Sequence, residues 1–327
     1  MTVTQVRDPE TPAGAPLDRR TTSPGRSTRT SRAPRPSRTW REHLTGWGFV
    51  LPASAVVVGL SIFPAGWAFV ISRQKTDLIT PPESVGWDNY RRILDDPGAL
   101  EAARHTVYFT ALFVPTSVVA GILLAVALNR PLRFQWFYRT CIFVPFVASA
   151  AATGILANFV FDPHFGVVDN LLRVLGLPRQ GFLEDPSQAL GVLVLIALWG
   201  SIGFNVVIYL AALQSIPNDV VEAAIVDGAG PVSVFRYVTM PELAPVTVFV
   251  TIWQTITALQ LFDLVYTTTK GQPGDATVTI VFYLYRQAFE LFHAGYGSAL
   301  AYCVFAVTLV FTAMLVWYSR RSGTEAF

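Results

Sequence analysis

The sequence predicts an all-α membrane protein with six transmembrane helices, and three observations support this fold class. Of the 327 residues, 52% are hydrophobic and only 14% are charged, whereas roughly a quarter of residues are charged in an average soluble protein. The mean hydropathy is positive, at +0.44. Six apolar segments each reach at least ~20 residues, the length that crosses the hydrocarbon core as a helix. These segments are residues 47–72, 106–128, 141–161, 189–213, 244–267 and 298–318.

The chain begins with a polar tail, residues 1–46, which is rich in Ser, Thr, Pro and Arg and holds nine arginines against four acids. Such a composition cannot bury a core, so we expect the tail to be disordered. Its positive charge favours a cytoplasmic extension over a nucleic-acid-binding segment, because basic residues collect on the cytoplasmic side of membrane proteins. A six-span domain, residues 47–322, and a short cytoplasmic C-terminus, residues 323–327, complete the predicted organisation.

The six segments are almost free of charge, and only the fifth carries an acid, Asp263, near its predicted outer end. Prolines inside the segments are expected to be tolerated as kinks in a helix bundle. Lys and Arg set the orientation, since fifteen lie on one side of the predicted membrane and nine on the other, in longer loops. Residues 129–140 hold three arginines and no acid. Both termini and the loop at residues 215–243 are therefore predicted to be cytoplasmic.

Residues 276–293 challenge the count of six, because one side of this stretch is apolar and compatible with a helix. The stretch contains Arg286, Gln287 and Glu290, however, and a charge at the membrane centre costs about 2.5–3.5 kcal/mol on insertion scales. Counting it as a span would also place the C-terminal arginines outside. We therefore predict a helix that lies at the external membrane interface.

The loop at residues 215–243 is a polar, helix-compatible island between two apolar segments. Pro217 and Asp219 suit the first turn of a helix, because proline needs no N–H partner there and an acid favours the positive end of the dipole. Gly228 stops this helix, and Pro231 starts a second short helix. The pattern predicts two short helices joined by a glycine elbow, in which Gly228 adopts a positive φ or closely approaches a partner.

The same loop carries E-A-A-x3-G at residues 222–228, D-G-A at 227–229, Phe235, and V-T-M-P at 238–241. In these residues it resembles the EAA loop of ABC-importer permeases, which implies a coupling helix that sits in a cleft of a cytoplasmic ATPase. The alternative is an amphipathic helix on the membrane surface, although such helices are usually rich in Lys and Arg. The residues to which the resemblance assigns the coupling role are Glu222, Ala223, Ala224, Asp227, Gly228, Ala229 and Pro241.

The resemblance extends over most of the apolar part of the chain. W-D-N-Y at residues 87–90, F-D-L-V-Y at 262–266 and G-Y-G-S-A-L-A at 295–301 are similar to the carbohydrate-uptake branch, which handles oligosaccharides, monosaccharides and glycerol-phosphate compounds. Lys270 and Gln272 interrupt a stretch that is usually richer in glycine, which leaves the substrate-side contacts open. The resemblance implies a second similar permease, an ATPase dimer, an external solute-binding protein and a place in the lipid of the cytoplasmic membrane.

The sequence shows no motif that would carry catalysis. It lacks a phosphate-cradling G-x-x-x-x-G-K-[ST] loop, an H-E-x-x-H pair and a G-x-S-x-G elbow. Cys141 and Cys303 have no metal-ligand spacing, and the four histidines are scattered. We therefore predict no catalytic residue, no metal and no cofactor in this chain, and we expect ATP to bind to the partner ATPase.

Polar side chains inside the fourth and fifth apolar segments are the remaining functional signal. At about 100° per residue, they fall on one arc of each helix. Amides and hydroxyls beside aromatic faces suit a sugar, which offers hydroxyls at its rim and apolar C–H faces. Hydrogen bonding between helices is the alternative, since membrane bundles use it routinely. The predicted substrate-pathway residues are Ser201, Asn205, Tyr209, Trp253, Gln254, Thr257 and Gln260.

These observations predict the permease subunit of an ATP-driven importer that moves a carbohydrate by alternating access. An importer permease for another solute, such as a polyamine, is one alternative. An ion-coupled secondary transporter is another, but such proteins usually keep a membrane-embedded acid or unwound helices for the ion, and only Asp263 qualifies. A membrane-embedded enzyme is the weakest alternative, because no nucleophile or metal set is buried in the predicted spans.

Overall fold

The computed structural model describes residues 40–77, 79–131 and 133–321. The chain divides into two units, Met1–Val56 and Val57–Phe327. The described residues of the first unit, 40–56, belong to helix α1, Trp40–Val57, so the predicted disorder is wrong for the last residues of the tail. The predicted disorder of the remaining tail and the predicted C-terminal segment lie outside the described residues.

The second unit is mostly helical. Two short strands, β1 Gln74–Lys75 and β2 Glu83–Ser84, pair in antiparallel orientation. Single turns of π- or 3₁₀-helix occupy Val58–Ile62, Phe182–Glu184, Phe235–Thr239 and Arg286–Glu290. The helices are α2 Phe63–Ser72, α3 Asp88–Asp95, α4 Pro97–Leu128, α5 Gln135–Val147, α6 Ala150–Val160, α7 Val167–Val174, α8 Ala189–Ser215, α9 Asn218–Val226, α10 Pro231–Val234, α11 Met240–Leu259, α12 Asp263–Thr267, α13 Ile280–Tyr285 and α14 Ala294–Arg321.

Among the residues that the structure describes, five helical stretches are long and apolar enough to cross a membrane by length and composition. The pair α5 and α6 passes the same test when its two helices are taken together, and it would bring the count to six. The stretch at residues 276–293 is absent from this set, and its predicted helix is confirmed by α13 and the following π-helical turn. The five stretches are Val50–Ser72, Pro97–Leu128, Ala189–Ser215, Pro231–Leu259 and Ala294–Arg321.

The third predicted span, residues 141–161, is not a continuous helix. Helix α5 ends at Val147, and α6 leaves it at an angle of 104°. Pro145 lacks the N–H that would continue the helix ladder, and the two linking residues, Ala148 and Ser149, adopt extended backbone angles. The Ser149 side chain then accepts a hydrogen bond from the backbone N–H of Ala152 and caps α6. Hydropathy alone does not predict this break, because every residue around it is compatible with a membrane.

The fifth predicted span, residues 244–267, also differs at both ends. At its start, the helix that begins at Pro231 is not a separate short helix as predicted. It continues through the π-helical turn Phe235–Thr239 into α11, which gives one helical stretch, Pro231–Leu259. At its end, α11 stops at Leu259, and Asp263 opens the separate short helix α12. The polar residue Gln260 caps α11 where the sequence pattern alone predicted an uninterrupted helix.

The core of the second unit forms around α4 and α8. One half contains the stacked rings of Phe109 and Phe113, with centroids 5.4 Å apart, and buried aliphatic residues from α8. The other half contains Tyr209 and buried aliphatic residues from α4, α8 and α11. Between these halves α4 and α8 approach closely at Gly121, where a Cβ atom would lie 2.8 Å from the Cβ of Asn205. Glycine is therefore favoured at this crossing, because a Cβ would overlap the side chains of Asn205 and Tyr209.

A hydrogen-bonded cluster around Asp96 joins the start of α4 to α13 and α14. The Asp96 carboxylate accepts hydrogen bonds from the hydroxyl of Tyr283 at 2.7 Å, the hydroxyl of Tyr296 at 2.6 Å and the backbone N–H of Gly98 at 3.0 Å. The guanidinium of Arg92 lies 4.5 Å from the ring centroid of Tyr296, a favourable cation–π distance. This cluster ties three helices together at the end of the unit opposite α9.

The electrostatics of the cluster favour the ionised carboxylate. Burial by itself would raise the pKa of Asp96, but the hydrogen bonds from Tyr296, Tyr283 and Gly98 lower it below the usual value. Burial and the neighbouring Asp96 carboxylate raise the pKa of Tyr283 to about 12. Because the pKa of Asp96 is lower in the folded state, its contribution to stability is present above the unfolded pKa of about 3.9 and is lost as the pH falls.

We predict that Asp96→Asn lowers the melting temperature of the detergent-purified protein at neutral pH, because a hydrogen bond to a charged group contributes about 1 kcal/mol or more. The difference from the wild type should shrink as the pH falls below about 4, because the unfolded carboxylate gains its proton there and the folded one, whose pKa is lower, gains its proton at a lower pH still. Asp95→Asn is the matched control, since it removes the same charge from the neighbouring, exposed side chain, which takes no part in the cluster. Equal melting temperatures for Asp96→Asn and the wild type at pH 7 would contradict this account.

Candidate functional site

A cavity of 280 Å³ lies among α5, α6, α8, α11 and α12. It collects five of the seven predicted substrate-pathway residues, which reach it from two helices. Asn205 and Tyr209 do not line it. The break between α5 and α6 contributes to the wall, because Pro145 and Ala148 both face the cavity. The predicted pathway residues in the lining are Ser201, Trp253, Gln254, Thr257 and Gln260.

One wall of the cavity is a row of aromatic rings. The ring of Trp253 lies 5.5 Å from that of Phe204, which lies 5.4 Å from that of Phe146, and all three residues line the cavity. Phe143 continues the row at 5.6 Å from Phe146 but lies outside the lining. Trp253 is 50% exposed, so one face of the indole is open. Aromatic faces beside amide and hydroxyl groups form a surface that can take up the apolar C–H face of a sugar and bond its hydroxyls.

One turn along the same face of α8 from Ser201, amide hydrogen bonds join the helices in the protein interior. The Nδ2 of Asn205 donates to the carbonyl of Ser117 on α4 at 3.1 Å, and the Nε2 of Gln254 on α11 donates to the Oδ1 of Asn205 at 2.5 Å. Asn205 is completely buried, and Gln254 is 1% exposed. Asn205 and Gln254 therefore form hydrogen bonds between helices, which the sequence left open as the alternative to substrate contact.

Tyr209 is also completely buried, one turn along α8 from Asn205. Its ring packs in the apolar half of the core with Ile122, Leu243 and Val250. Its hydroxyl makes no hydrogen bond of standard geometry within the described residues. The structure therefore places Tyr209 in the helix contact rather than in the cavity lining.

The sequence analysis missed the aromatic members of the cavity. Phe109 and Phe113 on α4, Phe146 on α5 and Phe204 on α8 all line it. Phe204 follows Ser201 by three residues and lies on the same helix face, so helical spacing could have found it. The contributions of α4 and α5 follow from tertiary packing, which no spacing within one segment reveals. Asp263 lines the cavity too, at the start of α12.

At the other end of α8, the predicted loop forms helix α9 and a glycine elbow. The N–H of Gly228 donates to the carbonyl of Ile225 at 3.0 Å, and the N–H of Ala229 donates to the carbonyl of Ala224 at 2.9 Å. This pair of bonds is the Schellman helix end, which requires a left-handed residue. Gly228 has a φ of +86°, so the predicted positive φ is confirmed.

The surface of this elbow mixes acidic and apolar side chains. The exposed apolar residues include Val226, which is 86% exposed, Val232 at 79% and Tyr237 at 72%. Glu222, Ala223, Asp227 and Pro241 are exposed, whereas Ala224 and Ala229 are half-buried against the body of the protein. The elbow therefore presents large exposed apolar side chains next to the carboxylates of Glu222 and Asp227.

The fold also brings together three potential metal ligands that the sequence did not single out. Asp162, His164 and Glu184 each offer one ligand atom, and these atoms lie within 4.8 Å of one another. His164 and Glu184 are exposed, and exposed acidic groups of this kind are common without a metal. The sequence spacing could not have marked the group, because Glu184 approaches the other two only through the fold.

Comparison with known proteins identifies the family. Residues 117–323 match the family described as binding-protein-dependent transport system inner membrane component. The sulfoquinovosyl glycerol transport system permease protein SmoG of Agrobacterium fabrum is 34% identical over 265 residues, which cover 80% of this chain and 86% of that protein. The lactose transport system permease protein LacF of Rhizobium radiobacter is 34% identical over 284 residues, which cover 85% and 94%.

A solved structure agrees in fold. It is a chain in the crystal structure of a bacterial alginate ABC transporter in complex with an alginate pentasaccharide-bound periplasmic protein. It superposes with a TM-score of 0.78 at 22% identity, covering 88% of this chain and 99% of that chain. With the family match over well over half of the sequence and relatives above 30% identity, the chain belongs to the binding-protein-dependent transport system inner membrane component family.

Proposed function

We propose that this chain is the permease subunit of an ATP-driven ABC importer that carries a carbohydrate across the cytoplasmic membrane. The observation that carries the proposal is the cavity between α8 and α11, where the half-exposed indole of Trp253 lies beside the amide of Gln260 and the hydroxyl of Thr257. The relatives support a sugar-like solute, because SmoG is a sulfoquinovosyl glycerol permease and LacF a lactose permease. The chain itself hydrolyses nothing under this proposal.

Six spans with both termini in the cytoplasm are the topology that this proposal requires. The five candidate spans and the bent pair α5 and α6 support it if the pair crosses the membrane once. The 104° bend would then lie at membrane depth with its linking residues Ala148 and Ser149 exposed, and these would have to face the cavity or the second permease rather than lipid. The distribution of Lys and Arg supports the cytoplasmic placement of the α9 elbow.

The α9 elbow is the proposed docking site for a cytoplasmic ATPase dimer. Its exposed valines and tyrosine give an apolar contact surface, and Glu222 and Asp227 give charges at its rim. A second permease of similar fold and an external solute-binding protein complete the proposed assembly. The alginate transporter supports this arrangement by analogy of fold, because its crystal structure contains a substrate-loaded periplasmic protein.

The chain connects the proposed docking site directly to the cavity. Helix α8 is joined to α9 by two extended residues, Ile216 and Pro217, and the helical stretch Pro231–Leu259 runs from the elbow to Trp253 and Gln254 without interruption. At 1.5 Å per residue this stretch of 29 residues is about 43 Å long. We propose that closure of the ATPase dimer displaces the elbow and moves the ends of α8 and α11 that form the cavity, which alternates access to it.

The energy source tests the proposal as a whole. We predict that uptake of a labelled sugar substrate by cells that express the complete system stops when ATP is depleted while the ion gradient is held. Collapse of the ion gradient at constant ATP should leave uptake nearly unchanged. The reverse pattern would favour an ion-coupled secondary transporter, in which Asp263 would need a direct role.

The glycine elbow gives a test of ATPase docking. Gly228→Val should weaken co-purification of the ATPase and lower uptake, because a β-branched residue is strained by roughly 1–2 kcal/mol or more in the left-handed region. Gly230→Val is the matched control, since Gly230 lies in the same elbow with a φ of −73° and has open space around its Cα. Normal ATPase retention by Gly228→Val, at normal abundance, would remove the support for this docking site.

The cavity gives a test of solute contact. Trp253→Ala and Gln260→Ala should raise the apparent KM of uptake severalfold or more while the complex purifies intact, because a lost buried contact of ~1.4 kcal/mol corresponds to a factor of ten in affinity. Phe159→Ala is the matched control, because Phe159 is 58% exposed but lies outside the cavity lining.

Asn205→Ala should act differently, since its amide joins three helices and its loss leaves a buried partner unpaired. We expect a lower melting temperature and lower abundance, with uptake per intact complex nearly unchanged. An unchanged KM in both Trp253→Ala and Gln260→Ala would place the solute site elsewhere, and a strong KM effect in Phe159→Ala would deny the cavity any special role.

A further inference from the structure

The junction between α4 and α5 concentrates positive charge without an acidic residue near it in the sequence. Arg130 and Arg133 lie in the short connection, and Arg139 lies in the second turn of α5. The sequence has no Asp or Glu between Glu101 and Asp162, and both of these acids belong to the opposite ends of α4 and α6. The junction is therefore a basic patch, which we call the α4–α5 patch.

Exposed aromatic side chains surround this basic patch. Phe134 is 61% exposed, Trp136 69%, Phe137 52% and Tyr138 47%. Aromatic residues of this kind, at the end of membrane helices and beside arginine, are typical of the level of lipid headgroups. The patch therefore combines the charge and the apolar surface that a membrane interface requires.

Arg139 differs from most arginines of the described chain in having no partner. Arg104 pairs with Glu101 at 3.1 Å, and Arg286 pairs with Asp275 at 2.8 Å. Arg139 is half-buried, and its Nε is enclosed by the protein without a hydrogen-bond partner. An unpaired donor on a charged group is unfavourable, and only Nε of this guanidinium is enclosed, so the two Nη groups remain available to an acceptor that the described part of the chain does not supply.

The acids at this end of the protein do not supply that acceptor. The elbow and the first turn of α11 carry Asp219, Glu222, Asp227 and Glu242. Within the described part of the chain, none of these carboxylates lies within 4.0 Å of the guanidinium groups of the α4–α5 patch, whose arginines form no ion pair there. Arg133 instead lies 5.6 Å from the ring centroid of Phe134.

We propose that the α4–α5 patch binds the phosphate headgroup of an anionic phospholipid. The planar guanidinium of Arg139 can donate two parallel hydrogen bonds to phosphate oxygens, which a lysine cannot do. Arg130 and Arg133 add attraction to the anionic surface, and Trp136 and Tyr138 lie beside the acyl-chain boundary. A free phosphate ion would satisfy the same donors but would gain nothing from the four exposed aromatic side chains.

Native mass spectrometry of the full chain in an uncharged detergent tests this site, with phosphatidylglycerol and phosphatidylcholine as probes. The wild type should retain phosphatidylglycerol in preference to phosphatidylcholine and should melt at a higher temperature in its presence, because a ligand of the folded state stabilises it. Arg139→Gln should weaken this retention about fivefold, the contribution of one arginine near an anionic membrane surface. Arg139→Lys should restore part of it, because the charge returns without the second hydrogen bond.

Arg104→Gln is the matched control, because Arg104 is an exposed helical arginine at the other end of α4, and it should retain phosphatidylglycerol as the wild type does. If Arg139→Gln fails to fold, the double variant Arg130→Gln with Arg133→Gln removes two exposed charges and should weaken retention by a similar or larger factor. Equal retention by the patch variants and the wild type would overturn the proposal.

Two further outcomes would also overturn the lipid assignment. Displacement of phosphatidylglycerol by millimolar inorganic phosphate would assign the site to free phosphate. Loss of a protein partner from the assembled complex in Arg139→Gln, with lipid retention unchanged, would assign the patch to a protein interface. Loss of lipid selectivity with the assembly intact supports the proposal.

Discussion

The structure depends on the buried side-chain amide of Asn205. This amide donates to a carbonyl of α4 and accepts from Gln254 of α11, so one side chain of α8 holds both neighbouring helices. In an apolar interior such a group is costly unless it is paired, and the paired arrangement fixes the rotation of α8 and α11 about their axes. With that rotation fixed, Ser201 and Trp253 can face the cavity only. The contact between α8 and α11 thus contains both the buried hydrogen bond of Asn205 with Gln254 and part of the cavity lining.

The elbow beyond α8 is constrained by a backbone requirement rather than by packing. A left-handed Gly228 ends α9, and the two following hydrogen bonds turn the chain toward Pro231. From there a single helical stretch returns to the cavity. Because no flexible loop interrupts this return, a force on the elbow acts on the cavity through helix backbone. Thermodynamic coupling between two sites needs an element that both sites bias, and this stretch is the element that the structure offers.

Charge is distributed differently at the two ends of the helices. Around Asp96, the carboxylate, two tyrosine hydroxyls and a guanidinium form a closed cluster that satisfies its own members. At the α4–α5 patch, the cations lack such partners and exposed aromatic rings surround them. A closed cluster holds helices together, whereas an open one is completed by the surroundings. The two ends of the bundle therefore differ, because the charged groups around Asp96 are bonded to one another and the arginines of the α4–α5 patch form no ion pair within the described residues.

Composition and periodicity alone determined the helical membrane class, most of the apolar segments, the helix at 276–293 and the glycine elbow with its positive φ. These features are local, since hydropathy, helix-stop residues and backbone sterics act within one segment. The tertiary structure decided that residues 141–161 break at Ala148 and Ser149, that the helix from Pro231 continues to Leu259, and that Asn205 and Tyr209 bond or pack between helices while Trp253 faces a cavity. A polar arc on a helix has the same appearance in the sequence whether it meets a solute or another helix, because only the neighbouring helix decides which of the two fills the space.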